Sequence, residues 1–452
     1  MAEEIKVEIT RRETIKPSSP TPQHLRSVEF SIMDQLAPDF YVPLVLFYPF
    51  SSSANSHQRP PLDVASERVQ RLRKTLSKTL TLFYPLAGRV RNNLFIECND
   101  DGVEFVEARV PCLISDLLQK PNLEALKKFL PVETESKKSA TGGCLLLVQA
   151  TIFDCGGIAI GLSISHKIVD GSTLSAFINS WGKTTLETSD HVHDQDEHVI
   201  KPDFATASRL FPPLLELSSS EAPAVEFIQD KCVTRRYVFD TKKIEALQSK
   251  AASESVKNPT RVEAISGLIW KCAMEASRSN SRWFLRKSVW CQNMNMRPRI
   301  VPPLAENVAG NLVGYFAAKI EENENDNTDI KVLVDNFRKR TKEVVENYGK
   351  ITDTEEVKRS LDEYGKLIKN AEIDNYNCTS WCRFPLYESD FGFGKPFWIS
   401  IASVAYKNCI LLMDTREGDG IEAWLMLREA DMVLVESNKE LLTFTSLNPS
   451  VI

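Results

Sequence analysis

The chain has 452 residues, of which 42% are hydrophobic, and its formal net charge at pH 7 is −6. This length and composition predict about two or three globular domains with substantial hydrophobic cores. Acidic and basic residues are intermixed along the chain, which excludes a surface that would attract nucleic acid or an anionic membrane over a large area.

The N-terminus and the cysteines indicate where the protein is expected to work. The first ten residues are acidic and contain no apolar segment, so they do not predict a secretory signal. No apolar run in the sequence approaches the ~18 residues that a membrane-spanning helix needs. Cys378 and Cys382 are the only cysteines close together in sequence, and they lack the further ligands that a zinc site requires. We therefore expect a cytoplasmic protein with reduced thiols, no membrane association and no bound metal.

The N-terminal part of the chain alternates between strand and helix patterns. An apolar run at 41–49 predicts a buried strand, and the spacing of apolar side chains in 69–80 predicts an amphipathic helix. Segments 94–98 and 103–108 both have strand character, and the intervening Asn-Asp-Asp-Gly is typical of a tight turn. This pattern predicts a hairpin between the two segments.

The pattern around which the chain is organised spans residues 156–178. Apolar residues at 158, 160, 162 and 164 alternate with small ones, which predicts a strand with one buried face. This strand ends on His166. Residues 167–171 then have the character of a turn, and 172–178 that of a helix with a hydroxyl cap.

His166 is a candidate general base. An imidazole at the end of a core strand is held rigidly while its ring can face a cleft, and its unperturbed pKa of about 6.5 lets it accept a proton near neutrality. The spacing between His166 and Asp170 arises by chance in many chains, so the pair alone is a weak signal. The alternative is a core histidine whose ring is satisfied by a backbone carbonyl.

A polar, acidic segment separates the two halves of the chain. Its three histidines lie within eight residues, at 191–198, but no helix or strand pattern would hold them in the fixed geometry that a metal site needs. We interpret the segment as a solvated crossover. The predicted division is an N-terminal domain at 1–186, a linker at 187–215 and a C-terminal domain at 216–452.

Two cations in the second half stand at the ends of predicted elements. A helix that begins near 261 has Thr260 as a hydroxyl cap and Arg261 in its first turn, and such a terminus can hold phosphate. A plain capped core helix is the alternative. A strand pattern that begins at 288 ends on Arg297 in apolar surroundings, where an arginine needs an acid. Asp170 is one candidate, but any surface carboxylate would serve equally well on the sequence alone.

A loop near the C-terminus contains Asp390, Gly392, Gly394 and Lys395. Its two glycines alternate with aromatic residues, which predicts a loop with tight side-chain packing and free backbone turns. It does not have the order of strand, GxGxxG and helix that marks a dinucleotide site.

Together these motifs resemble the plant BAHD family of acyl-CoA-dependent acyltransferases, nearly from end to end. Residues 165–171 occupy the position of the HxxxD motif of that family, and 390–394 the position of its DFGWG motif. Residues 17–22, 83–89 and 380–383 add further matches. Within the family the chain is most similar to the vinorine synthase group, which includes enzymes that acetylate alkaloid and terpenoid alcohols.

The resemblance implies a fold and a reaction. The fold would be α/β, with two similar domains of the CoA-dependent acyltransferase (chloramphenicol acetyltransferase-like) type, each a mixed sheet with helices, and a channel between them. Acyl-CoA, expected to be acetyl-CoA, would enter from one side and a small-molecule alcohol from the other. His166 would take the proton of the alcohol in a ternary complex. The enzyme would be a monomer, without a permanently bound cofactor.

The resemblance also implies roles for residues outside the chemistry. Asp170 would turn away from the site and pair with Arg297. Asp390, Gly392 and Gly394 would belong to a structural loop that is important for the shape of the site and for the CoA channel.

We further expect Thr260, Arg261 and Lys395 to contact CoA. The chain departs from the family pattern at two positions. Ser165 stands where many members have a second histidine, but the histidine that is assigned the chemistry is retained. Phe393 replaces the usual tryptophan, which keeps the aromatic packing and removes an indole N–H donor, so that loop stability or CoA affinity would be altered.

The acceptor is expected to be a hydrophobic plant specialised metabolite, such as an alkaloid or a terpenoid. An amine acceptor would give N-acylation with the same base. A member repurposed as a lyase or as a non-catalytic binder is the alternative from another class, and the presence of His166 favours a transferase.

Overall fold

The computed structural model describes residues 5–50, 60–131, 143–187, 201–217, 231–280, 287–320, 329–348, 354–368, 370, 372–402 and 407–452. Within these ranges the strands are β1 (Glu8–Ile15), β2 (Ser27–Glu29), β3 (Tyr41–Tyr48), β4 (Arg89–Arg91), β5 (Phe95–Glu97), β6 (Val103–Val110), β7 (Leu146–Phe153), β8 (Ile158–Ser165), β9 (Cys232–Phe239), β10 (Lys287–Asn295), β11 (Val313–Ile320), β12 (Ile373–Ser380), β13 (Trp398–Ser400), β14 (Cys409–Asp414), β15 (Ile421–Arg428) and β16 (Ser446–Leu447).

The helices of the same ranges are α1 (Ile32–Leu36), α2 (Pro61–Leu82), α3 (Ile114–Gln119), α4 (Leu123–Leu126), α5 (Gly171–Glu187), α6 (Thr206–Leu210), α7 (Thr241–Ala251), α8 (Arg261–Asn280), α9 (Ile330–Tyr348), α10 (Thr354–Ile368), α11 (Glu429–Glu436) and α12 (Lys439–Phe444). None of them is both long and apolar enough to cross a membrane.

The first sheet has the strand order β1-β6-β7-β8-β3-β13. β6 and β7 run parallel, and the other neighbours run antiparallel. Every residue of β7 and β8 is buried, which explains why their sequences are almost continuously apolar or small. α2 packs on β7 and against α5, where the hydroxyls of Thr75 and Thr185 are 2.8 Å apart. β8 therefore ends at Ser165 within the core of the first sheet.

The second sheet has the order β11-β10-β12-β14-β15-β9-β16, and β12 runs parallel to both of its neighbours. α8 packs against α7, α9 and α11 beside this sheet. Three buried rings hold the layers together: Trp270 stacks on Phe337 with ring centroids 5.4 Å apart, and Trp290 lies against both. The expected pair of mixed-sheet α/β domains is confirmed.

β13 connects the two sheets, although it follows most of the second sheet in sequence. It pairs antiparallel with β3, and Trp398 lies opposite Phe47. Trp398 also stacks on Trp424 of β15, with ring centroids 6.1 Å apart. The domain division at 1–186, 187–215 and 216–452 stays a prediction, and its C-terminal part contributes this strand to the first sheet. The histidines at 191–198 lie outside the described residues.

The hairpin predicted between 94–98 and 103–108 is wrong. Both strands exist, but β5 pairs with β2 and β4 in a small third sheet, whereas β6 pairs with β1 and β7. The intervening turn is tied elsewhere, because the Asp100 carboxylate accepts hydrogen bonds from the backbone and hydroxyl of Thr21, at 3.0 and 2.6 Å, and pairs with Arg26. Turn chemistry predicted the reversal of the chain and not the partner of each strand.

Candidate active site

His166 lies immediately beyond β8. The backbone N–H of Ser165 donates to the carbonyl of Leu145 in the core of the first sheet. The next N–H, that of His166, donates to the carbonyl of Phe40 at 2.9 Å. The half-buried imidazole meets the Phe40 ring edge-on, with centroids 5.1 Å apart. Burial lowers the pKa of His166 below its ordinary value, although its own backbone carbonyl, Asp170 and other neighbours favour the protonated ring. The neutral ring therefore predominates near pH 7.

One ring nitrogen of His166 has a side-chain partner. Nδ1 lies 3.1 Å from Oδ1 of Asn311, which is two positions before the first residue of β11 in the second sheet. Nδ2 of Asn311 donates to the backbone carbonyl of His166 at 2.7 Å and to Asp34 of α1 at 3.0 Å. Within the described part of the chain, Nε2 has no hydrogen-bond partner. The ring is thus anchored at one nitrogen, and the other makes no hydrogen bond to a described residue.

Asp170 binds Arg297 and not His166. Oδ2 of Asp170 lies 2.6 Å from the guanidinium of Arg297, and both side chains are almost fully buried. Asp170 also accepts from the backbone of Thr173, at 2.8 Å, and of Leu312, at 3.2 Å. Burial alone would raise the pKa of Asp170, but Arg297 and these N–H groups bring it below its ordinary value. Both Asp170 and His166 are described, and no hydrogen bond joins them.

The segment 308–312 is fixed between the two sheets at this site. The carbonyls of residues 308 and 310 accept from Arg297 at 2.7 and 3.0 Å. The next two N–H groups donate to Asp34 and Asp170 at 2.8 and 3.2 Å. Gly310 has φ +111°, a conformation that residues with a side chain rarely adopt. The geometry of this segment places a residue from the second half of the chain against the base.

The glycine-containing loop at 389–394 is closed by a carboxylate. Oδ1 of Asp390 accepts from the backbone of Gly392 at 2.7 Å and of Gly394 at 3.0 Å, and both glycines have positive φ, +83° and +98°. Phe393 lies against Tyr48 of β3, with ring centroids 5.1 Å apart. The loop is therefore attached to the first sheet.

The residues expected to contact CoA all have protein partners. Thr260 forms a capping box with the glutamate three residues later, which starts α8. Arg261 binds Asp414 at 2.9 Å and two carbonyls of the turn that follows β14. Lys395 forms an ion pair with Glu388. Their contact with CoA stays a prediction.

The sequence reasoning missed Asp34 and Asn311. Ser31 and Asp34 have the spacing of a capping box, which would have predicted α1 but not the contact of Asp34 with the base. Asn311 carries no sequence signal beyond following a glycine, because its importance depends on how the two sheets meet.

Comparisons with known proteins identify the family of the chain. A profile of the Transferase family matches residues 5–442. The chain is similar to epi-neemfruitin B 7-O-acetyltransferase of Melia azedarach, with 36% identity over 98% of this chain and 99% of the relative. It is similar to stemmadenine O-acetyltransferase of Catharanthus roseus, with 36% identity over 96% of each chain. The crystal structure of vinorine synthase matches with a TM-score of 0.82 and 33% identity, covering 99% of this chain and 100% of that one.

Proposed function

The chain belongs to the Transferase family, the BAHD acyltransferases, and from this premise we propose that it is an acyl-CoA-dependent O-acyltransferase whose general base is His166. The names of two relatives describe O-acetylation, which supports acetyl-CoA as the donor. One of them acts on stemmadenine and the other on epi-neemfruitin B, which supports a hydroxyl of a hydrophobic plant metabolite, an alkaloid or a terpenoid, as the acceptor.

The observation that carries this proposal is the state of the His166 ring. The ring is anchored at Nδ1 and has no described partner at Nε2, and burial lowers its pKa, so that the ring is neutral near pH 7. A general base must be unprotonated at the working pH and must reach the proton that it accepts. The neutral ring meets the first requirement, and Nε2 is the ring nitrogen that no described residue binds.

The reaction then proceeds without a covalent enzyme intermediate. Nε2 of His166 takes the proton of the acceptor hydroxyl while the hydroxyl oxygen attacks the thioester carbonyl of acetyl-CoA. The tetrahedral intermediate collapses, the carbon–sulfur bond breaks, and the imidazolium returns its proton to the CoA thiolate. The products are an acetate ester and free CoA. Asp170 takes no part in proton transfer, because Arg297 and two backbone donors already occupy its oxygens.

The test is a turnover assay. The purified protein is incubated with acetyl-CoA and a plant metabolite extract, and mass spectrometry follows gains of one acetyl unit. His166→Ala should lower the rate about 10²- to 10⁴-fold, or about 3 to 5 kcal/mol of barrier, while CoA binding by calorimetry stays unchanged. His24→Ala is the matched control, because His24 is exposed and lies in the short turn Gln23–Leu25.

The outcomes separate the alternatives. A His166→Ala variant that turns over at the parent rate would show that another group is the base. Mild alkali removes an acetyl group from an ester but not from an amide, so resistance of the product to alkali would indicate N-acylation. Absence of any acetyl gain with the parent protein, together with CoA binding, would favour a non-catalytic binder.

A further inference from the structure

The amide of Asn311 can have only one orientation. Its Nδ2 has two neighbours that are acceptors, the carbonyl of His166 at 2.7 Å and the carboxylate of Asp34 at 3.0 Å. Exchanging the nitrogen and oxygen would set an amide oxygen against both of them. Because an amide nitrogen carries two hydrogens, both are used, and Oδ1 is left to face Nδ1 of His166 at 3.1 Å.

Asp34 fixes this orientation of the Asn311 amide. Its carboxylate is 4% exposed. One oxygen accepts from the backbone and the amide of Asn311, at 2.8 and 3.0 Å, and the other accepts from the backbone and hydroxyl of Ser31, at 2.9 and 2.7 Å. Four donors surround the group, so it acts as an acceptor at every position. Asn311 therefore cannot turn its oxygen toward Asp34.

A buried cation accompanies this carboxylate. Nζ of Lys167 donates to the carbonyls of Gln35 and Ala37 at 2.8 and 3.0 Å, and the side chain is fully buried. Burial lowers the pKa of Lys167 to about 8, and the negative charge of Asp34 acts in the opposite direction. Burial raises the pKa of Asp34 above its ordinary value, and the hydrogen bonds from Ser31 and Asn311 act in the opposite direction. The positive charge of Lys167 also favours the ionised, accepting form of Asp34.

The ring of His166 must donate to an oxygen that only accepts. A neutral imidazole carries one hydrogen, on either Nδ1 or Nε2. The Oδ1 of Asn311 has no hydrogen to offer, so the hydrogen bond exists only if Nδ1 carries the proton. The lone pair is then on Nε2.

We propose that Asn311, held by Asp34, is a positioning residue that keeps the ring proton of His166 on Nδ1 and leaves Nε2 as the base. This inference rests on the proposed function for its kinetic consequence. His166 and Asp34 belong to the first half of the chain, whereas Asn311 belongs to the second. The side chain that fixes the tautomer of the base therefore comes from the other half of the chain.

The direct test is NMR of the full-length protein labelled with ¹⁵N-histidine at pH 7.5. The His166 signals are assigned by their loss in His166→Gln. We expect a protonated Nδ1 and an unprotonated Nε2 in the parent protein. A protonated Nε2 would overturn the proposal, and this measurement needs neither turnover nor a variant of Asn311.

The kinetic test compares Asn311→Leu with Asn307→Leu. Asn307 is four residues earlier, just before the segment 308–312, and its amide donates to the backbone carbonyl of Lys201, away from His166. We expect Asn311→Leu to lower kcat about 10- to 100-fold, as outer partners of functional histidines do, with KM for acetyl-CoA unchanged and mixed tautomers in the NMR spectrum. Asn307→Leu should leave both kcat and the spectrum unchanged. Parent-like kcat and tautomer in Asn311→Leu would contradict the proposal.

Asn311→Asp separates positioning from a general loss of structure. The second carboxylate oxygen would replace Nδ2 against Asp34 and the carbonyl of His166, so it must carry a proton there, while the first oxygen still accepts from Nδ1. The Nδ1–H tautomer should therefore be kept in the NMR spectrum, and kcat should exceed that of Asn311→Leu. The same loss of rate as in Asn311→Leu with the tautomer kept would indicate a merely structural role. If the parent has the Nδ1–H tautomer but transfers no acetyl group, the proposed function fails and the tautomer assignment stands.

Discussion

Arg297 is a buried cation whose charge is balanced by one carboxylate, that of Asp170. Breaking such a pair by removing one member leaves an uncompensated charge, which costs about 3 to 5 kcal/mol. We expect Asp170→Ala to lower the free energy of unfolding in urea by this amount. Glu388→Ala removes an exposed ion pair and should cost at most about 1 kcal/mol. Unchanged stability with a selective loss of rate would instead indicate a catalytic pair of Asp170 and His166.

The pH dependence of activity follows from the environment of His166. Burial lowers its pKa, and Lys167 acts in the same direction, whereas Asp170 opposes the shift. The unprotonated ring is the active form, so kcat/KM should be constant from pH 7 to 8 and should fall only below the ordinary histidine pKa of about 6.5. A decline that begins above pH 7 on acidification would contradict this assignment.

Single residues were predictable to the extent that their chemistry is local. His166 could be selected because a strand pattern ends on it, and Asp170 because its spacing matches a family motif. The partner of Arg297 could be named only as a candidate, since any carboxylate would satisfy a buried guanidinium. Asn311 could not be selected at all, because its amide oxygen accepts from the His166 ring only when His166 and Asp34 are held in fixed positions around it.

The loop at 389–394 is an element whose shape depends on one side chain. Asp390 accepts two backbone hydrogen bonds that keep Gly392 and Gly394 in their positive-φ conformations. Hydrogen bonds to a charged group contribute about 1.5 to 3 kcal/mol when buried and less when exposed. We expect Asp390→Ala to lower the free energy of unfolding by about 1 to 3 kcal/mol. Lys395→Ala, next to the same loop, is the control and should change the free energy of unfolding by at most about 1 kcal/mol. Equal losses of stability in both variants would contradict the closing role of Asp390.

Elements were predicted better than their pairings. β5 and β6 lie where the sequence placed two strands, and a turn separates them. They belong to different sheets because each strand pairs where its apolar face is buried, and the Asp100 carboxylate holds the turn against the N-terminal segment. Local propensity therefore indicates that a strand exists, whereas its neighbour depends on contacts that are distant in sequence.

The two sheets should unfold together because β13 joins them. Trp398 is fully buried between Phe47 of the first sheet and Trp424 of the second. Truncating such a residue costs about 3 to 5 kcal/mol. We expect Trp398→Ala to lose that stability and to split the single unfolding transition into two, followed by calorimetry and by circular dichroism.

Trp270→Ala is the control for this prediction. Trp270 is equally buried but lies within the core of the second sheet alone. It should lower stability by a similar amount and leave one cooperative transition. Splitting in Trp270→Ala but not in Trp398→Ala would mean that another contact, such as the pair of Asp170 and Arg297, couples the sheets.

The architecture of the whole molecule was predictable through the family resemblance and not through periodicity. Alternating helix and strand patterns indicate an α/β protein, but they do not state how many sheets form or which strand crosses between them. β13 is three residues long, and its assignment to the first sheet depends on the register of Trp398 opposite Phe47. So short a segment carries too little pattern to be placed from sequence.

The crossing of β13 has a consequence for recombination between relatives. A chimaera that exchanges its halves at the linker would dock an edge strand from one parent onto a sheet from the other. The same exchange would separate Asn311 from its native Asp34. Residues 308–312 and 389–400 should therefore come from the same parent as the first half. Such grafts should yield folded hybrids more often than exchanges at a single breakpoint.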